Sequence, residues 1–128
     1  MIKKLLLPFL ALAIVTSSCK KDEDEEDTQP PSVSISTPET GDVVSRGDTL
    51  DIRATATDDI ELLTVEIIIL NDNSEVFSSN RLYSGTSAQM DTIYRANVPA
   101  NTELEVIVRA TDKAGNKGEQ SRTLDVVQ

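Results

Sequence analysis

The sequence predicts an all-β fold for residues 32–128: an antiparallel sandwich of about seven short strands. Three observations predict it. Apolar and polar side chains alternate with period two through most of that stretch, so each run has one face to bury and one to leave wet. Clusters of Gly, Pro, Asn and Asp separate the runs. No segment carries the spacing of an amphipathic helix.

The runs follow in order. Val33 and Ile35 alternate with Ser32, Ser34 and Ser36, and Leu50, Ile52, Ala54 and Ala56 alternate with Asp51, Arg53, Thr55 and Thr57. Leu62 to Leu70 is a denser apolar run, broken only by Thr64 and Glu66, and reads as a central strand. Glu75–Ser79 and Ala88–Val98 are weaker strands, separated by a polar stretch, Ser78–Gln89, that reads as a long loop around Gly85. Leu104, Val106, Val108 and Ala110 form a further strand, and Leu124 and Val126 the last. Turn chemistry falls between the runs at Thr37–Asp42, Arg46–Asp48, Asn71–Ser74, Val98–Asn101 and Asp112–Gly118. Seven or so short strands at this spacing in about 100 residues suggest an immunoglobulin-like or fibronectin-III-like sandwich.

The N-terminus reads as an address. Lys3 and Lys4 precede an apolar run from Leu5 to Val15, and Thr16-Ser17-Ser18 supply small residues for cleavage. The run is too short to span a bilayer, which takes about 20 apolar residues. Cys19, the only cysteine, follows at once. These residues resemble a bacterial lipoprotein signal, with Thr16 where that family usually has Leu. The resemblance implies that residues 1–18 are cleaved and that Cys19 is lipidated, which anchors the chain to a membrane. A lone thiol in a secreted chain otherwise wants an explanation. Removal of residues 1–18 takes away Lys3 and Lys4 and moves the net charge from −10 to −12.

Residues 19–31 read as a tether. Asp22 to Asp27 are six consecutive carboxylates, which repel one another and keep the chain extended, disordered and solvated. Such a stretch reaches roughly 40 Å. Pro30-Pro31 stiffens its end and marks the domain boundary. Lys20-Lys21 followed by the acidic run looks like the export signal of some outer-membrane lipoproteins, which implies a position on the bacterial outer membrane facing the cell exterior.

Two segments of the domain carry a further resemblance. Gly47 to Asp59 looks like the second strand of bacterial Ig-like domains, and Val108 to Asn116 like their penultimate strand and the hairpin after it. With the leader, the whole chain resembles small lipoproteins with a single immunoglobulin-like domain of unassigned function. It has no paired cysteines and no Trp, so aliphatic burial must hold the sheets together.

Composition excludes several functions. With 22 acidic and 12 basic residues, the chain is a poor partner for nucleic acid. The absence of His removes the usual general base and the commonest transition-metal ligand. Ser and Thr therefore lack an activating partner, and Gly-x-Ser-x-Gly does not occur.

Two groups of side chains are candidate sites. In an Ig-like topology Asp58, Asp59, Asp112 and Asn116 lie at one end, beside the N-terminal linker, where their oxygens suit calcium; the same residues also cap turns through their own backbones. Tyr83 and Tyr94, with Phe77, are the only aromatics after the leader. On neighbouring strands the two tyrosines would make a platform for a glycan or peptide; otherwise they cover a core edge. The sequence thus predicts a non-enzymatic, surface-anchored binding or spacer module with an extracellular protein or glycan as partner. The alternatives are a glycan-binding accessory of an outer-membrane uptake system and a calcium-stabilised adhesion domain.

Overall fold

The computed structural model describes residues 25–128; Cys19 and the leader lie outside the described residues. Eight strands follow one another: β1 (Ser32–Thr37), β2 (Val43–Ser45), β3 (Thr49–Thr57), β4 (Leu62–Asn71), β5 (Ser74–Leu82), β6 (Ser87–Arg95), β7 (Thr102–Asp112) and β8 (Lys117–Val127). They form two sheets, one of three strands in the order β1-β3-β6 and one of five in the order β2-β8-β7-β4-β5. No helix occurs among the described residues.

Period-two alternation builds the core directly. β3 buries Leu50, Ile52, Ala54 and Ala56 and exposes every residue between them. Its in-register neighbour β6 buries Ala88, Met90 and Tyr94. Facing them, β4 contributes Val65, Ile67 and Ile69, β7 contributes Leu104, Val106 and Val108, and β8 contributes Leu124 and Val126. The small Ala54 and Ala56 let the sheets approach, while Ile67, Ile69 and Met90, all without exposed surface, fill the space between.

The structure departs from the sequence reading in four places. β2 is an additional strand, three residues long, with only Val44 buried, too short to show an alternation. It pairs parallel with β8, so the sandwich is not antiparallel throughout. After Thr37 the chain leaves β3, keeps its direction, and lands beside the last strand, which runs the same way.

The expected loop Ser78–Gln89 is mostly strand. β5 continues to Leu82 and β6 begins at Ser87, leaving only Tyr83–Thr86 as the connection. Both are edge strands. β5 is largely wet on both faces, so its polar side chains conceal a backbone held by β4 from Thr64 to Asn71.

The tether also does not stay solvated up to residue 31. The Asn116 side-chain amide donates to the Asp27 carbonyl at 2.9 Å. Pro31 is buried, and its carbonyl oxygen lies 1.8 Å from where a Cβ on Gly118 would stand. Only glycine at 118 allows that approach.

Strand direction fixes two poles. The tether end, Asp58–Glu61, Tyr83–Thr86 and Lys113–Asn116 gather at one. Pro38–Asp42, Arg46–Asp48, Asp72–Asn73 and Ala96–Asn101 gather at the other.

Candidate functional site

The tether pole concentrates the polar chemistry. Asp58 closes β3 by accepting the amides of Ile60 at 3.0 Å and Glu61 at 2.8 Å on its Oδ2. This is the turn that Asp supplies through its own side chain. Its Oδ1 is buried and accepts no hydrogen bond among the described residues. Asp59, next in sequence, is exposed.

Asp112 ends β7 and is the one buried charged residue among those described, with no exposed surface. Its Oδ1 accepts the Asn116 amide N–H and its Oδ2 accepts the Asn116 side-chain Nδ2, both at 2.8 Å. Gly115, at φ +92°, makes the turn that brings Asn116 back. Burial pushes the Asp112 carboxyl up. The donors from Asn116, Gly115 and Ala114 outweigh it, and the pKa lies below the ordinary carboxylate value.

The four residues singled out in the sequence therefore meet at one pole, but in two roles. Asp112 and Asn116 bind each other and shape the β7–β8 hairpin. Asp58 and Asp59 combine instead with Asp27, a residue that sequence reasoning missed. Oxygens of Asp27, Asp58 and Asp59 lie within 4.8 Å of one another. Asp27 sits in a run of six like residues, and nothing in that run marks it as the one that docks. Its carboxylate accepts the Gln29 amide, which lowers its pKa. Desolvation and the charges of Asp112, Asp59 and Asp58 act the other way and prevail, so it lies above the ordinary value. Glu61 pairs with Lys113 across the same pole.

The aromatic residues do not share an open face. Tyr94 is 8% exposed and tilts against Phe77 with ring centroids 5.7 Å apart. Tyr83 packs partly on the core and donates its hydroxyl to the Gln89 carbonyl at 2.9 Å. Both contacts join the β5 side to β6, so these rings close the flank between the two sheets.

Depressions on the surface of the described residues include two with distinct linings. One of about 330 Å³ lies on the outer face of β3 and β6, lined by Asp51, Arg53, Asp91, Thr92 and the exposed Ile93. The other, about 160 Å³, lies at the far pole among Leu70, Asp72, Asn73, Glu103 and Glu105.

Residues 31–102, more than half of the chain, match the family model for the bacterial Ig domain. The chain belongs to that family. No curated protein matches it in sequence. Among solved structures, this bacterial Ig domain is similar to the fibronectin(III)-like modules of Clostridium thermocellum CbhA. The TM-score is 0.52 and the identity 22%, over 77% of this chain and 47% of that one. It is also similar to Spo0M, the sporulation control protein of Bacillus subtilis, with TM-score 0.55 and 10% identity over 77% and 49%. A third neighbour is catalytically inactive OgpA of Akkermansia muciniphila, in complex with an O-glycopeptide substrate, with TM-score 0.56 and 14% identity over 85% and 33%. The chain spans a third to a half of these proteins, and at such identities the likeness is one of fold.

Proposed function

We propose that this protein is a lipid-anchored, surface-facing Ig-like module of the bacterial envelope, serving as a non-catalytic spacer or binding domain. Bacterial Ig domains are often extracellular or surface-exposed and typically non-catalytic. The observation that carries the reading is polarity. The tether joins the sandwich at one pole, where Asn116 and Gly118 receive it. An anchor at Cys19 would hold that pole toward the membrane. The opposite pole, with the Asp72–Asn73 turn and the Ala96–Asn101 loop, would then point outward. Lipid fixes one end, the acidic run lifts the domain, and the far loops or the free edges of β5 and β6 meet the partner. A peptide partner would add as a strand to such an edge, where unpaired backbone groups are available.

The test uses the full chain expressed in a bacterial host with an outer membrane. Mass spectrometry should find an N-terminal peptide beginning at an acylated Cys19, and Cys19→Ala should move the protein out of the membrane fraction. Protease added to intact cells should remove the domain. A free thiol at Cys19, or a domain digested only after the outer membrane is breached, overturns the reading.

A further inference from the structure

We propose that the junction of tether and sandwich is a binding site for a hard divalent cation of the calcium class, held by the carboxylates of Asp27, Asp58 and Asp59. These carboxylates come from two separate segments, the tether and the β3–β4 turn, yet their oxygens lie within 4.8 Å of one another. The independent observation is the Asp58 Oδ1. It is fully enclosed and accepts no hydrogen bond among the described residues, while the Oδ2 of the same group accepts two. An enclosed carboxylate oxygen without a donor is costly, and a cation satisfies such an oxygen directly. Among the described residues no Lys or Arg pairs with these three groups, and Lys113 at the same pole is engaged by Glu61.

The donor set selects the ion. Carboxylate oxygens suit calcium and magnesium rather than zinc or copper. Ligands drawn from two segments, one of them the exposed Asp59, fit calcium's flexible coordination better than the strict octahedron of magnesium. With three protein carboxylates and water completing the shell, the affinity belongs with the weak extracellular calcium modules, a Kd on the order of 10⁻⁴–10⁻³ M.

The consequence is mechanical. The Asp27 carbonyl is held by Asn116 and Pro31 rests on Gly118, so the backbone is already in place. The three charges oppose that docking until a cation bridges them. Calcium would therefore fasten the tether to the domain and fix its angle. The cation site stands on the fold alone; only its effect on the height above a membrane rests on the anchored reading.

The test is calorimetric titration of calcium chloride into the full chain, purified in detergent and stripped with chelator, with thermal melting beside it. At calcium tenfold above its Kd, the melting temperature should rise by roughly 5–10 °C. Asp27→Asn and Asp59→Asn should each weaken calcium at least about tenfold, the loss of one good charged ligand contact. In chelator, both should melt at or above the wild-type temperature, because repulsion is relieved; this separates loss of the site from loss of the fold. Absence of calcium-dependent heat overturns the proposal. So does a calcium response undiminished in both variants, which would mean diffuse binding along the acidic run.

Discussion

The two poles of the sandwich solve the same problem with different chemistry. Both must satisfy backbone and side-chain groups where strands end. The far pole uses groups that stay wholly or partly in solvent: the Asn71 side chain donates to the Thr102 hydroxyl at 2.8 Å, that hydroxyl donates to the Pro99 carbonyl at 2.6 Å, and the exposed Asp42 carboxylate accepts the Glu39 amide at 2.8 Å. The tether pole uses carboxylates: Asp112 is buried against Asn116, Asp58 caps its own turn, and Asp27 is brought beside them. Groups left in solvent cost little to desolvate, and water and salt screen their charges. A buried charged group is costlier to assemble and responds more strongly to pH. The lesson is that this domain buries a carboxylate where the chain enters and leaves the carboxylates of the far pole in solvent.

The largest expected effect lies at Asp112. Replacing Asp112 by Ala leaves the Asn116 donors without their acceptor in a buried setting, and should destabilise the domain by about 2–3 kcal/mol in urea unfolding. Asn71→Ala at the far pole removes neutral, partly exposed bonds and should cost about 1 kcal/mol. Equal losses from the two substitutions would erase the contrast between the poles.

Gly118→Ala comes next and probes the docked tether. Its Cβ would meet the Pro31 carbonyl, so either the segment or β8 must move, at about 1–3 kcal/mol. A Glu-specific protease should then cut at Glu25 and Glu26 faster than in the wild type. Unchanged cleavage and unchanged melting would show that the segment does not depend on this contact.

The smallest effect is in pH. The Asp112 pKa is lowered on folding, so its contribution is complete above about pH 4, the unfolded value, and is lost as pH falls through the folded one. The Asp27 pKa is raised, so folding gains from that group as pH falls through its folded value toward the unfolded one. In unfolding curves from pH 7 to pH 3, Asp27→Asn should abolish a shallow rise in stability as pH falls, and Asp112→Asn should flatten the loss at the acid end. A wild-type curve with neither feature would contradict the assignment of these two groups.

The core was legible because each buried residue repeats the same instruction. Ile52, Ala54 and Ala56 on β3, or Leu104, Val106 and Val108 on β7, are forced to one face by period two alone. The hairpin at Asp72–Asn73 was legible too, because Asp and Asn tolerate the positive φ that a two-residue turn between twisted strands requires and that both residues take. β5 was hidden in part because an edge strand wet on two faces has no pattern to show, and β2 because three residues are too few for one. The placing of Asp58, Asp59, Asp112 and Asn116 at one pole followed from strand order, although they act there in two separate groups. Asp27 did not, because its partner is a backbone contact 89 residues away and its own neighbours are all acids.

The proposed anchoring would turn the far pole outward from the cell. The direct measurement is labelling of an Asn73→Cys chain on intact cells with a membrane-impermeant maleimide. Position 73 should label on intact cells as fully as after lysis. Labelling only after the outer membrane is opened would contradict it.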